Sequence, residues 1–285
     1  MISGLIIISI LSSLFFLPLI LTFLESNSPA INYNNKKVLN CAGVYFTIEI
    51  LLFCMYLMLV KNTMNLNDDI KLLYVIIGVL SASFTGYMDD RSKDTPKGFT
   101  GHIKSLFQGR ITAGMIKAIV SFFISLIICI ISDYKNIDFL INVAIISLTQ
   151  NFFNLLDLRP GRALKVYLFF SMLLFLIFDF SNLYILLNTA IIISILIYMP
   201  YELKEICMLG DTGSNALGIF LGIFISSISH TGIRFLFLLF LFYVHIYSER
   251  KSISEFISSN QLLNFIDSLG RVKNYDDAHT KRGST

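Results

Sequence analysis

The sequence predicts an all-α, polytopic membrane protein built as a helical bundle. Hydrophobic residues make up 55% of the 285-residue chain, charged residues make up only 14%, and the mean hydropathy is +0.72. Ordinary soluble domains carry about 25% charged residues. The apolar residues are grouped in runs, and a helix needs roughly 17–25 such residues to cross a bilayer. One membrane domain is enough for this length.

Nine apolar runs have the length of a transmembrane helix. The first has no basic flank before it and no small-residue cleavage site after it, so we interpret it as a retained helix rather than a signal peptide. The predicted spans are 3–24, 41–60, 72–88, 111–132, 137–153, 163–178, 183–199, 215–229 and 233–247. They form a predicted membrane domain of residues 1–247, followed by a polar cytoplasmic tail, 248–285, with a short amphipathic run at 253–266.

The distribution of basic residues predicts the orientation. The chain has 22 Lys and Arg residues. With nine spans, Lys61, Lys71, Lys135 and Arg234 fall on the side of the N-terminus, Lys117 falls inside a span, and the other seventeen fall on the opposite side. Cytoplasmic loops of membrane proteins are enriched in Lys and Arg. We therefore expect the N-terminus outside and the C-terminus in the cytoplasm.

Neither the cysteines nor the net charge indicates a functional site. Cys41, Cys54, Cys129 and Cys207 are scattered through mostly apolar sequence and form no Cys-x-x-Cys pair. Neither a disulfide framework nor a zinc site is predicted. The net charge of +3 follows from the basic loops, and no nucleic-acid partner is expected.

The first polar cluster begins where the third span ends. Asp89 and Asp90 are adjacent, and Lys97, His102 and Lys104 follow in the same loop. Adjacent carboxylates repel each other unless a cation lies nearby, and Mg²⁺ favours oxygen ligands. Acids for a metal and bases for phosphate are the components of phosphoryl transfer. The alternative is an ordinary juxtamembrane cap followed by the lysines of a cytoplasmic loop.

The second polar cluster follows the fifth span. Asn151, Asn154 and Asp157 recur at intervals of three residues, which places them on one face of a helix end. Two amides and an acid at this point indicate a metal or nucleotide pocket. The alternative is a polar helix C-terminus that is broken by the Pro-Gly pair at 160–161.

The third polar cluster is Gly-Asp-Thr-Gly-Ser at 210–214, directly before the eighth span. Glycines allow the backbone to approach a ligand closely, and the N-terminus of a helix favours anions. Asp211 is the candidate metal ligand. The alternative is a simple turn that caps the helix.

All three clusters lie on the predicted cytoplasmic side. A charged side chain near hydrocarbon costs roughly 2.5–3.5 kcal/mol on insertion scales, so acids at this depth are functional candidates. We expect one polar site assembled from several helix ends.

Taken together, the motifs resemble the polyprenyl-phosphate N-acetylhexosamine-1-phosphate transferase family, which includes phospho-N-acetylmuramoyl-pentapeptide transferase and the undecaprenyl-phosphate N-acetylglucosamine-1-phosphate transferases. The resemblance covers about residues 1–247. It is carried by Gly-Tyr-Met-Asp-Asp at 86–90, Lys-Gly-Phe-Thr-Gly-His-Ile-Lys at 97–104, Asn-x-x-Asn-x-x-Asp at 151–157 and Met-Leu-Gly-Asp-Thr-Gly-Ser at 208–214, with a weaker similarity at 37–43.

The resemblance implies an enzyme in the plasma membrane of a bacterium that uses Mg²⁺. Such an enzyme joins the sugar-1-phosphate of a UDP-sugar to undecaprenyl phosphate and releases UMP, for cell-envelope polymers such as peptidoglycan or teichoic acid. The implied partners are the polyprenyl phosphate lipid, the nucleotide sugar and the bilayer. The implied catalytic residues are Asp89, Asp90 and Asp157, the implied metal ligands are Asp211, Asp90 and Asn154, and the implied substrate-binding residues include Lys97, His102, Lys104, Asn151 and Asn154.

The second motif departs from the family pattern, which usually continues as Asp-Gly-Leu-Asp-Gly-Leu. Here Pro160 replaces the second acid, and Arg159 and Arg162 flank it. Because Arg binds phosphate or carboxylate through two parallel hydrogen bonds, we hypothesise that both arginines bind the donor substrate. The alternative is that they form the cytoplasmic flank of the sixth helix. A tenth helix and the family's His-rich loop are also missing; the tail has only His279.

Two other functions are compatible with parts of this pattern. A catalytically silent relative that acts as a scaffold in envelope assembly would explain the changed second motif, but not the retained acids. A transporter would place its binding groups near the middle of the bilayer, whereas these groups collect at one rim. A homodimer remains open.

Overall fold

Helices make up most of the protein in the computed structural model, which describes residues 2–60, 66–92, 101, 104–105, 107–178 and 180–272. Within these ranges eleven helices and one small sheet are present. In chain order they are α1 (Ile2–Asn27), β1 (Pro29–Ile31), β2 (Lys37–Leu39), α2 (Val44–Leu59), α3 (Leu66–Arg91), α4 (Ala113–Ile131), α5 (Asn136–Leu156), α6 (Arg162–Ile177), α7 (Asn182–Leu203), α8 (Gly210–Ser226), α9 (Thr231–Arg250), α10 (Ile253–Ser259) and α11 (Gln261–Ser268).

Six helices are long and apolar enough to cross a membrane, namely α1, α3, α4, α5, α7 and α9. The prediction of a multi-pass helical membrane protein is therefore confirmed. One of the helices α1 to α9 overlaps each of the nine predicted spans. The remaining three, α2, α6 and α8, have 16, 16 and 17 residues.

Helix α8 forms the centre of the bundle. Every residue of this helix except Asp211 is buried, and it packs along both α3 and α5. Small residues permit the contact with α5: a Cβ atom on Gly218 would lie 2.7 Å from the Cα atom of Gln150, and one on Gly222 would lie 2.9 Å from that of Ile146. Close backbone approach at small residues is the usual basis of helix packing in membranes.

Helix α3 meets the first turn of α8 through Gly86. A Cβ atom at this position would overlap the backbone carbonyl of Asp211. The crossing therefore brings the last turn of α3, with Asp89 and Asp90, against the start of α8.

A short antiparallel hairpin, β1–β2, was not predicted from the sequence. Asn32 shapes its turn, because its Oδ1 accepts hydrogen bonds from the backbone N–H groups of Asn34 and Lys36 at 2.9 and 3.0 Å. Leu39 then pairs with the loop before α8: the Met208 N–H donates to the Leu39 carbonyl at 2.7 Å. Strands of three residues are too short to show a period in the sequence, so the all-α prediction missed them.

The tail beyond α9 folds back onto the bundle as α10 and α11. Asp267 of α11 is buried against Arg162, the first residue of α6. The proposed division at residue 247 remains a prediction, since α9 continues to Arg250.

The α3–α8 contact predicts a large effect of Gly86→Ala. The added methyl group would collide with rigid backbone, and overpacking of this kind costs about 1–3 kcal/mol. We expect the midpoint of thermal unfolding in detergent to fall clearly. Gly78→Ala on the same helix is the matched control, because its Cβ would meet only flexible isoleucine ends at 3.3–3.4 Å. Equal midpoints for the two variants would contradict this packing.

Candidate functional site

A buried ammonium group lies at the centre of the three predicted clusters. Lys117 is in the first part of α4, and its side chain is only 10% exposed. Its Nζ lies 2.7 Å from Oδ2 of Asp89 and 2.6 Å from Oδ2 of Asp211. One cation therefore joins the ends of α3 and α8.

Asn154, in the last turn of α5, completes this group. When its amide nitrogen faces Oδ1 of Asp211, the two atoms are 2.6 Å apart, and the amide oxygen then lies 2.8 Å from Nζ of Lys117. This orientation satisfies both neighbours. We call Asp89, Lys117, Asn154 and Asp211 the ionic cluster.

Asp90, unlike its neighbour Asp89, accepts hydrogen bonds from the first turn of α8. Its Oδ1 accepts a hydrogen bond from the Asp211 N–H at 3.0 Å. Its Oδ2 accepts from the N–H and the hydroxyl of Thr212 at 3.0 and 2.7 Å. Asn40 also donates to Oδ1, at 3.4 Å. The N–H groups of Asp211 and Thr212 are orphan donors at the N-terminus of α8, where a carboxylate is favoured. In this structure both oxygens of Asp90 accept hydrogen bonds from the protein, and the metal-binding role of Asp90 stays a prediction.

Asp157 follows α5 as its C-terminal cap, half-buried beside the ionic cluster. Burial raises the pKa of its carboxyl well above the ordinary value, and the nearby carboxylates of Glu202 and Asp211 raise this pKa further. Glu202 is itself buried and accepts a hydrogen bond from the Gly161 N–H at 2.7 Å. Asp157 therefore holds a proton more readily than a free aspartate does.

A cavity of about 220 Å³ lies next to Lys117, between α4, α5 and α8. The side chains of Gln150 and Asn215 line it and are almost completely buried. Within the described part of the chain, neither the amide nitrogen nor the amide oxygen of either side chain has a hydrogen-bond partner. Unpaired buried polar groups are costly, so this cavity suits a polar ligand group or water. Asn151 also lines the cavity and is exposed.

The two arginines of the second motif are not part of the ionic cluster. The Arg159 guanidinium stacks on the ring of Tyr33 at 4.0 Å from its centre. Arg162 is buried, and its Nε and Nη2 each donate to Asp267 at 2.9 Å. Its Nη1 donates to Ser254 at 2.9 Å. The tail engages one N–H group on each nitrogen of the Arg162 guanidinium. That Arg162 binds the donor stays a prediction.

The predicted phosphate-binding residues Lys97, His102 and Lys104 follow α3 in the sequence. Lys104 is exposed. Lys97 and His102 lie outside the described residues, so their predicted roles stay predictions.

The donor set of the ionic cluster has the chemistry that Mg²⁺ requires. Asp89, Asp211 and Asn154 offer only oxygen ligands, which hard cations prefer. Among the described residues no group of three His, Cys, Asp or Glu is arranged to hold a metal. Instead, the ammonium of Lys117 neutralises these oxygens. The residues fit a divalent cation if its charge replaces or supplements that of Lys117.

Sequence reasoning missed Lys117 and Glu202. Lys117 was counted only for topology, although a lone lysine within an apolar run is itself a signal of function. Glu202 lies three residues after the seventh predicted span and three residues before another acid, and no spacing connects it to Asp157.

Comparison with protein-family models finds no match, and comparison with characterised proteins finds no significant similarity.

The ionic cluster predicts that Lys117→Met lowers the thermal stability of the purified protein, because Asp89 and Asp211 lose their shared counter-ion. Added Mg²⁺ should restore part of that stability in the variant, and more than it adds to the wild type. Lys71→Met is the control, since Lys71 pairs with Asp68 at 3.2 Å in the first turns of α3, away from the cluster. A response to Mg²⁺ that is the same in all three proteins would show that the oxygens do not bind the ion.

Proposed function

We propose that this protein is a membrane enzyme that transfers a sugar-1-phosphate, of the N-acetylhexosamine type, from a UDP-sugar to a polyprenyl phosphate. The observation that carries the proposal is the ionic cluster: residues of all three motifs meet around one cation at the end of the bundle. The resemblance of the motifs to the transferase family supplies the reaction.

The reaction needs a phosphate oxygen of the lipid to attack the phosphorus that bears the sugar. A new P–O bond forms there, the bond to the bridging oxygen breaks, and UMP leaves with that oxygen. The product is a lipid diphosphate sugar. Both substrates are anions, so catalysis depends on positioning and on neutralising charge.

The described residues have distinct roles in this scheme. Lys117 binds phosphate oxygens, and Asp89 holds Lys117 in position. Asp211 and Asn154 would hold Mg²⁺, which, when bound, neutralises the developing charge on the diphosphate. Asp157, with its raised pKa, accepts or holds a proton near the reacting phosphates. Asp90 is a positioning residue, because it fixes the first turn of α8 that carries Asp211.

The cavity beside Lys117 supports the approach of a lipid phosphate. Its walls include Ala118 and Phe122 of α4, and the Phe122 side chain is 47% exposed on the outer surface of the bundle. A phosphate that arrives from the bilayer along this side reaches Lys117 first.

We also propose that all nine helices α1 to α9 span the membrane, with the N-terminus outside and the ionic cluster at the cytoplasmic face of a bacterial plasma membrane. The connections that carry the basic residues support this topology. The hairpin β1–β2 contacts the loop before α8 and, through Tyr33, the loop after α5. The end of α3 contacts the first turn of α8, and the loop after α5 contacts the end of α7. The start of α3, the end of α4, the start of α7 and the segment after α8 surround a cavity of about 570 Å³.

A catalytically silent relative is the second candidate. The observation that favours it is that Lys117 already neutralises Asp89 and Asp211, as a purely structural ion group would do. Such a protein would keep the fold and bind lipid without turnover.

The enzymatic proposal predicts release of UMP when the purified protein meets undecaprenyl phosphate, Mg²⁺ and a UDP-N-acetylhexosamine. Asp89→Asn and Asp211→Asn should each reduce the rate to background, because they remove charge that acts mainly in the transition state. Asp68→Asn, at the other end of α3, should keep the wild-type rate. Wild-type rates in the two cluster variants would refute the assigned site. No release with any donor tested would favour the silent relative.

The topology predicts which new cysteines react from outside the cell. The four native cysteines are buried, so they give little background. A membrane-impermeant thiol reagent should label Asp133→Cys, in the connection between α4 and α5, on intact cells. Lys204→Cys, in the loop before α8, should be labelled only after the membrane is opened. The reverse pattern would invert the proposed orientation.

A further inference from the structure

Helix α11 is attached to the bundle by its charged side. Asp267 is only 8% exposed. It accepts two hydrogen bonds from Arg162 at 2.9 Å and one from Arg271 at 2.6 Å. Lys165 donates to the carbonyl oxygens of Asp267 and Leu269 at 2.7 Å, at the C-terminal end of the helix. Ion pairs and helix-end contacts hold this segment on the protein.

The apolar side of the same helix points away from the protein. Leu262, Phe265 and Ile266 follow the i, i+3, i+4 spacing of one helix face, and they are 67%, 61% and 44% exposed. Leu269, directly after the helix, is 48% exposed. An amphipathic helix on a soluble protein buries its apolar face and exposes its charges. Helix α11 instead buries Asp267 and exposes these apolar side chains, which favours apolar surroundings on that side of the helix.

A third side of α11 is polar and exposed. Gln261, Asn264 and Ser268 lie on it at i, i+3 and i+7. The helix therefore has a water-facing stripe beside its apolar stripe. A helix with both stripes is stable in the plane where lipid meets water.

The residues around the start of the tail also indicate a position at the membrane–water interface. Tyr243 and Tyr247 lie one turn apart in the last part of α9, and tyrosine is enriched at the membrane–water interface. The Tyr247 ring contacts the ring of Phe256 in α10, with 5.5 Å between centres. Arg250 and Lys251 are exposed between these helices, where they can meet anionic lipid headgroups.

We propose that α10 and α11 lie in the membrane interface, with Phe256, Leu262, Phe265 and Ile266 inserted among the lipid headgroups and upper acyl chains. The partner is the bilayer itself. A second copy of the chain is a poorer occupant, because a few side chains on two short helices fall far short of the roughly 1,200–2,000 Å² that stable protein interfaces bury. These four exposed apolar side chains also follow directly after α9, a membrane-spanning helix.

This arrangement connects the bilayer to the loop that follows Asp157. Arg271 donates to the Pro160 carbonyl at 2.9 Å, and Arg162 closes the same loop. An interfacial tail therefore fixes the depth of this loop relative to the lipid surface. The inference stands whether or not the protein has the proposed activity.

The absence of tryptophan from the chain makes the proposal testable by fluorescence. The full-length variants Phe265→Trp and Leu262→Trp are reconstituted into vesicles of zwitterionic and anionic phospholipid. Asn264→Trp, on the polar side of the same helix, is the matched control. Phe123→Trp, on an outer face of α4, reports a position in the hydrocarbon region. Two kinds of lipid serve as quenchers in separate measurements. One is brominated near the top of the acyl chain, and the other is brominated near the end of the chain.

We expect the Phe265→Trp and Leu262→Trp emission to be quenched several-fold more strongly than that of Asn264→Trp. Lipids brominated near the chain ends should quench Phe123→Trp better than either tail variant. Equal, weak quenching of Phe265, Leu262 and Asn264 variants would overturn the proposal. Blue-shifted but unquenched emission that depends on protein density would also overturn it, and would indicate contact with a second copy.

Discussion

The ion group around Lys117 is the interaction on which the rest of the structure depends. Removing a charge from water costs several kcal/mol, and only close opposite charges and hydrogen bonds offset that cost. Here two carboxylates and an amide surround one ammonium at 2.6–2.8 Å. Because these groups come from α3, α4, α5 and α8, satisfying one buried charge fixes the relative positions of four helices.

The adjacent acids of the first motif, Asp89 and Asp90, have different structural roles. Asp89 balances Lys117, while Asp90 caps the central helix α8 through the N–H groups of its first turn. The cap and the crossing at Gly86 hold Asp211 where it reaches the ammonium. The same residues therefore account for the packing of the bundle and for the arrangement of its candidate site.

The two arginines of the second motif contact segments that are distant in the sequence. Arg162 pairs with the tail through Asp267, and Arg159 stacks on Tyr33 of the hairpin. The loop after Asp157 is thus held by a segment that follows the last long helix. These contacts give Arg159 and Arg162 a structural role in the fold.

The sequence by itself determined the class of the protein, the positions of its nine apolar helices and the collection of Asp89, Asn154, Asp157 and Asp211 at one end of them. Hydropathy and helical spacing are local properties, so short windows reveal them. Only the tertiary structure decided which groups pair. Lys117 is 28 residues from Asp89 and 94 from Asp211, and Arg162 is 105 from Asp267. Such pairs depend on helix crossings, which are set by packing between distant segments and leave no periodic signal along the chain.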